Sequence, residues 1–293
     1  MSSPTISGPI HTWTFGIRTY ELDLNRHVKV TAFLNYMEEV ATQASAALGF
    51  DYHWYMQSGT LWVARKHTIR FYEPLAYPNE LHAQTWISDI RRVQSHREYR
   101  FHRASDNAPI FAARTNWVYI NAMTLRPERV PDDIAKGVIY RDDKGLEDLD
   151  TGIREPSAVD KPYIYSEKRR AEWHEIDSAG HVNNGVYVTW AEEAIRNMLR
   201  AAGWTDERLV EVGVAMRPHA HEIEYFRSTL YDEPIQIMCK LTDIGQDRAA
   251  WLIEIRHAAT DEMLCKDVCV RTFTDAQGPR SIPDDMLLAL RQP

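Results

Sequence analysis

Cysteine is scarce in this chain: three residues, Cys239, Cys265 and Cys269, in 293. An odd number of thiols in a long chain excludes a disulfide scaffold, and their strand-like surroundings make them reduced packing residues. Cys265 and Cys269 have no companion His or Cys pair at ligand spacing, so no metal and no other cofactor is expected. No apolar run approaches the roughly 18 to 20 residues of a membrane span, which excludes an integral membrane protein and leaves no membrane partner expected. Positive charge is also short, with 34 Lys and Arg against 42 Asp and Glu. A net charge of −8 argues against nucleic acid as a general partner while permitting a local basic patch. The first residues, Met-Ser-Ser-Pro-Thr-Ile-Ser-Gly-Pro, carry neither the basic and apolar regions of a secretory signal nor an Arg-rich amphipathic stretch, which predicts a cytosolic protein.

What is present is a polar turn followed by an amphipathic stretch. Asp177-Ser-Ala-Gly-His181-Val-Asn183-Asn184 leads into Val186, Tyr187, Trp190, Ala191, Ala194, Ile195, Met198, Leu199 and Ala202, spaced as one buried stripe of a helix, with Gly203 as its stop. The polar cluster therefore sits at a helix N-terminus, where unpaired N–H groups and the dipole favour developing negative charge.

The pattern occurs twice. Asp23-Leu-Asn25-Arg-His27-Val28 precedes a second amphipathic stretch ending at Gly49, and an offset of 154 residues (177 − 23) maps Asp23 to Asp177, His27 to His181, Glu38 to Glu192 and Gly49 to Gly203. The same offset carries Ile69 to Ile223 and Asp89 to Asp243, so one domain-sized unit is duplicated. We expect an N-terminal half over 1–125, a connecting segment rich in Pro, Asp, Arg and Gly over 126–161, and a C-terminal half over 162–293.

Each half reads as a leading strand, a long helix and four further strands. The strands fall near 11–22, 61–72, 80–90, 97–104 and 109–121 in the first half, and near 166–176, 217–226, 235–244, 249–258 and 262–274 in the second. The helices are expected over 31–48 and after Asn184, with a short helix from Asp284 at the end. One helix followed by strands with short connections implies an α+β fold, an antiparallel sheet curled around a long central helix in each half.

With Asp-x-x-Gly-His-Val-Asn-Asn before that helix, the chain resembles the hotdog-fold thioesterases, and the duplication resembles a tandem, or double, hotdog of the acyl-ACP thioesterase family. Tyr20-Glu21, Leu34-Asn35-Tyr36-Met37-Glu38-Glu39 and Trp62-Val63 stand where that family has its first-half motifs. Asp177, His181, Val182, Asn183 and Asn184 match its Asp-x-Asn-x-His-Val-Asn-Asn, with Ala179 in place of the first Asn. Ser228-Thr229 replaces the family's Glu-Cys after the Ile223-Glu224-Tyr225 strand. The complete Asp-x-Asn-x-His-Val lies instead in the first half, at Asp23, Asn25 and His27.

The resemblance implies hydrolysis of an acyl-ACP or acyl-CoA thioester to free acid and thiol. That chemistry needs an activated water or a carboxylate nucleophile, and donors aimed at the carbonyl oxygen. Asp177 is assigned as base or nucleophile, with His181 and Asn183 or Asn184 positioning water or carbonyl and helix-start N–H groups completing the oxyanion site. The plain alternative is an Asp that caps its turn and Asn residues that satisfy loop backbone. Asp23, Asn25 and His27 form either a second active site or a remnant lining the acyl pocket. One of Glu192 and Glu193 faces the site or the other half. The basic run containing Arg91, Arg92 and Arg97 either receives coenzyme A phosphates or an acidic carrier surface, or is a solvated strand face. The rivals to hydrolysis are an acyl-thioester binding or regulatory module and a hydratase or dehydratase on the same fold. Two units in one chain imitate a two-unit dimer, so either a monomer or a homo-oligomer would be complete.

Overall fold

A computed structural model describes residues 10–137 and 163–291 and divides the chain into two compact units, Met1–Leu149 and Asp150–Pro293. The N-terminal unit runs β1 (His11–Gly16), a 3-10 turn (Thr19–Glu21), α1 (Val30–Ala47), α2 (Tyr52–Ser58), β2 (Thr60–Phe71), β3 (Glu80–Ile90), β4 (Gln94–Arg103), β5 (Pro109–Asn121) and α3 (Asp132–Gly137). Its antiparallel strands lie in the order β1-β3-β4-β5-β2. The C-terminal unit repeats the plan with β6 (Ile164–Arg170), a 3-10 turn (Trp173–Glu175), α4 (Asn184–Ala201), α5 (Asp206–Glu211), β7 (Ala215–Tyr225), β8 (Pro234–Ile244), β9 (Arg248–His257), β10 (Met263–Asp275), β11 (Gly278–Pro279) and α6 (Asp284–Arg291). Here the order is β7-β10-β9-β8-β6, with β11 pairing β10.

The long helices form where the sequence places them, because their apolar stripes have a sheet to bury against. α1 packs on β1 and β3, and α4 on β6 and β8. Phe33 of α1 stacks on Phe111 at 5.1 Å and meets Phe71 edge-on at 5.4 Å. At 2% exposure its burial contributes about 2–3 kcal/mol. In the C-terminal unit Tyr187, Trp190, Ala191, Ala194, Ile195, Met198 and Leu199 are buried along α4, while Glu193 is exposed.

Three expectations change. The strands expected over 11–22 and 166–176 end at Gly16 and Arg170, because the Glu21 and Glu175 carboxylates turn the chain by accepting the Arg18 N–H at 2.8 Å and the Glu172 N–H at 2.7 Å. The long helices are each followed by a short one, α2 capped by Asp51 and α5 by Thr205, too brief to show periodicity. Residues 126–137 are part of the N-terminal core rather than a connection: Val130 and Ile134 are buried against Tyr119, and the Val130 N–H donates to Arg92 O at 2.9 Å. The remainder of the expected connecting segment, 138–161, lies outside the described residues.

Candidate active site

Both polar turns are built alike. In the second, the Asp177 N–H donates to His181 O at 2.9 Å and the Gly180 N–H to Asp177 O at 3.0 Å, closing the loop. Gly180 sits at φ +81°, where a side chain costs about 1–2 kcal/mol per residue. Arg26 holds the equivalent place in the first turn at φ +63°. The second turn is tied to the sheet by the Val182 N–H donating to Thr229 O at 2.8 Å, and to the 3-10 turn by the Asn183 N–H donating to Glu175 O at 3.0 Å. The first is tied by matching bonds, Val28 N–H to Leu75 O at 2.8 Å and Lys29 N–H to Glu21 O at 2.9 Å.

The carboxylates are used differently. Asp177 Oδ1 accepts the Ala179 N–H at 2.9 Å, and Oδ2 lies 3.6 Å from His181 Nδ1. Both side chains are about one-fifth exposed, open enough for a small molecule to reach them. His181 Nδ1 lies 3.2 Å from Val182 O, a distance at which a protonated Nδ1 donates and Nε2 is the acceptor nitrogen. In the first turn Asp23 Oδ1 takes the His27 N–H at 2.9 Å instead.

Asn183 is the N-cap of α4, its side chain accepting the Gly185 N–H at 2.9 Å. With the Val186 N–H donating to Asn183 O at 3.0 Å, the backbone amides of Asn183, Gly185 and Val186 are all committed within the protein. The expected oxyanion site of helix-start amides is thereby narrowed, because Glu175 O, Asn183 Oδ1 and Asn183 O already accept from them. Asn184 O accepts from Tyr225 Oη at 3.0 Å, which fixes the first turn of the helix to β7. By contrast Lys29, the N-cap of α1, gives no side-chain cap.

Several residues the sequence reading passed over hold this site. Tyr187 Oη donates to Thr229 Oγ1 at 3.0 Å and accepts the Thr229 N–H at 2.9 Å; burial pushes its pKa up to about 12. Thr229 occupies one of the two positions where the expected Glu-Cys pattern is missing, and there it serves as a buried anchor for the turn. Glu175 accepts Trp190 Nε1 at 2.8 Å, Arg169 Nη2 at 2.6 Å and the Glu172 N–H at 2.7 Å. Glu21 does the same in the first unit with Tyr36 Oη at 2.5 Å and Arg18. The 154-residue repeat was the available signal, since it superposes Glu21 on Glu175 and Tyr36 on Trp190.

Glu192 is not beside Asp177. It lies eight residues along α4 from Asn184, about 12 Å at 1.5 Å per residue. It meets the Arg271 guanidinium and Arg196 Nη1, the latter at 3.3 Å. Arg271 Nη2 is 3.4 Å from His221 Nε2, and His221 Nδ1 is 2.9 Å from Asp267 Oδ2. This buried chain from helix to sheet went unnoticed in the sequence, because β-strand alternation marks which face a residue takes and not which charge it meets.

Of the expected carrier-facing arginines, Arg91 and Arg92 are exposed, with Arg91 Nε paired to Asp89 at 2.5 Å. Arg97 is not on that surface: it is 8% exposed, because it occupies an inward position of β4. Among the described residues no group of three or more His, Cys, Asp or Glu is arranged to hold a metal, and no helix is long and apolar enough to cross a membrane.

Residues 8–138 match the acyl-ACP thioesterase N-terminal domain, and residues 171–290 match the thioesterase-like superfamily. The N-terminal half is thus similar to the acyl-ACP thioesterases and the C-terminal half to the wider thioesterase-like superfamily. An oleoyl-acyl carrier protein thioesterase of Coriandrum sativum is 24% identical over 67% of this chain and 56% of its own length. A palmitoyl-acyl carrier protein thioesterase of Arabidopsis thaliana is 21% identical over 85% of this chain and 60% of its own. The chain thus spans little more than half the length of the curated relatives it matches. The double hotdog fold is shared with a putative oleoyl thioesterase of Lactobacillus plantarum, TM-score 0.76 at 16% identity over 95% of this chain and 98% of that one. It is shared also with a 12:0-ACP thioesterase of Umbellularia californica, TM-score 0.70 at 17% identity over 90% and 94%.

Proposed function

We propose that this chain is a member of the acyl-ACP thioesterase family and hydrolyses an acyl-ACP or acyl-CoA thioester to the free acid and the thiol, with the chemistry at the second turn. The observation that carries this reading is the Asp177–His181 pair, partly exposed at the N-terminus of α4. The matches of both halves to thioesterase families support it.

In this reading Asp177 takes a proton from water as the water oxygen attacks the carbonyl carbon and the C=O electron pair moves to oxygen. The resulting oxyanion is held by the side-chain amide of Asn184 and favoured by the α4 dipole. When the pair returns, the C–S bond breaks, and the departing sulfur takes the proton from the Asp177 carboxyl. His181, in contact distance of Asp177, orients the carboxylate and the water. Asn183 serves as the helix cap. A covalent route in which Asp177 itself attacks uses the same groups.

Asp23, Asn25 and His27 are read as a remnant beside the acyl pocket, because α1 lacks the Asn cap that α4 has. Arg91 and Arg92 are proposed to meet the acidic carrier or the coenzyme A phosphates. A cytosolic location and action as a monomer or homo-oligomer belong to the same proposal.

Thiol release from a panel of acyl-CoA and acyl-ACP substrates tests the reaction. Release with no other product supports hydrolysis. Binding of acyl thioesters without release would leave a binding module, and an enoyl-thioester product without free thiol would indicate a dehydratase.

A further inference from the structure

The two units differ at one end of their sheets. In the N-terminal unit the chain leaves β5 through the turn Asn121-Ala122-Met123-Thr124-Leu125-Arg126, at whose tip Met123 is 92% exposed and Leu125 62%. The Ala122 N–H donates to Gly59 O at 2.9 Å, and Gly59 is the C-cap of α2, so the tip stands at the end of that helix. α2 adds Tyr52 and Met56, one helical turn apart and both more than half exposed, while Trp54 and Tyr55 pack inward with Tyr119 and Val130. Four large apolar side chains thus share one end of the unit.

The turn is firmly held. The Asn121 side-chain oxygen accepts the Met123 and Thr124 N–H groups at 3.0 and 2.9 Å, and the Leu125 N–H donates to Asn121 O at 2.9 Å. Leu125 takes φ +56°, a left-handed conformation that strains most side chains and that glycine or asparagine adopts more readily. Neither packing nor backbone preference accounts for a leucine at that position.

The C-terminal unit builds the same place without an apolar tip. The 154-residue offset turns the segment into Asp275-Ala276-Gln277-Gly278-Pro279-Arg280, where the Asp275 side chain accepts the Gln277 N–H at 2.7 Å and the positive φ, +135°, falls on Gly278. Tyr52 and Met56 become Asp206 and Val210, and α2, with no Asp, Glu, Lys or Arg, becomes α5 with Asp206, Glu207, Arg208 and Glu211. The fold therefore does not require the apolar residues of the first unit.

Cations flank the tip. Arg126 adjoins Leu125, is exposed, and meets no carboxylate among the described residues. The Arg129 side chain is 75% exposed, and its 3.4 Å contact with Asp132 is a surface ion pair of little worth. Glu128, between them, accepts the Asn121 side-chain amide at 2.9 Å.

We propose that this end of the N-terminal unit is a lipid-surface contact: Tyr52, Met56, Met123 and Leu125 enter the boundary between headgroups and acyl chains of a bilayer, and Arg126 and Arg129 meet its phosphates. A turn tip projects instead of forming a groove, which suits a soft apolar phase, and apolar side chains beside arginine are the pattern of interfacial binding. Such a contact needs no spanning helix, so the lack of long apolar runs does not bear against it. It goes beyond the hydrolase reading and does not rest on it.

The test is sedimentation of the full chain with vesicles of phosphatidylcholine alone and of phosphatidylcholine and phosphatidylglycerol in equal parts. We expect binding to the mixed vesicles and weaker binding to phosphatidylcholine. Met123→Ser combined with Leu125→Asn should lower the partition about ten-fold or more. Leu125→Asn by itself should unfold at a higher temperature, because asparagine suits the left-handed backbone, so lost binding is separated from lost folding. Arg126→Gln should weaken binding to the mixed vesicles several-fold. A wild type that binds neither vesicle overturns the proposal, as does binding that the double variant retains in full. Sedimentation velocity without lipid reads the rival occupant: a dimer that the double variant dissolves would make it a second copy of this chain and overturn the lipid contact. None of these readouts uses thiol release, so a failure of the hydrolase reading leaves the test standing.

Discussion

Trp190, in the second turn of α4, donates its indole N–H to Glu175 Oε1 at 2.8 Å, and so ties the helix to the strand end that precedes the Asp177 turn. Arg169 closes the bond from the other side, its guanidinium 5.0 Å above the Trp190 ring. The first unit uses Tyr36 and Glu21 for the same purpose, with burial and the Glu21 carboxylate together pushing the Tyr36 pKa far up.

Removing the carboxylate strands three donors at once. Glu175→Ala is expected to cost about 3–5 kcal/mol in urea unfolding, the range for one member of a buried pair. Glu175→Gln keeps an acceptor oxygen and should cost about 1–2 kcal/mol. A loss below about 1 kcal/mol for the alanine variant would mean that the brace does not hold the turn.

Asp177→Asn removes the proton acceptor while keeping an oxygen for the Ala179 N–H. Thiol release should fall by about 10²–10⁴-fold with little change in stability. Asp23→Asn should leave turnover within a few-fold. Loss only in Asp23→Asn would move the chemistry to the first turn, where Asp23, Asn25 and His27 stand together in sequence.

Glu192 and Arg271 form a pair between α4 and β10, with Glu192 about one-fifth exposed and Arg271 buried. Burial pulls the Arg271 pKa down to about 9, and the Glu192 carboxylate is set against its guanidinium. Glu192→Gln should therefore destabilise by about 3 kcal/mol, and adding Arg271→Met should recover most of it. A double-mutant cycle reads the coupling directly, and additive losses would show that the two act separately.

All three thiols are buried, Cys239 within 3.6 Å of Met198 Sδ, and burial pushes each pKa up. The folded protein should not react with Ellman's reagent over the time of an assay, and the unfolded chain should release three equivalents. Rapid labelling of the native protein would contradict the packing described for β8 and β10.

The sequence by itself determined the duplication, the two long helices, eight of the ten main strands within a few residues and the place of the Asp177 turn. These follow from local rules: apolar spacing shows which face of an element is buried, and glycine or asparagine marks where a helix begins or stops. Tertiary structure decided what those rules do not encode. Arg91 and Arg97 look alike in one basic run, yet strand alternation and sheet closure send the first to solvent and the second into the core. Val130 and Ile134 read as parts of a connection until Tyr119 supplied a surface to bury them. Glu192 and Asp177 belong to one turn-helix motif, but the 1.5 Å rise of the helix separates them, and only the folded sheet brings Arg271 and His221 to Glu192.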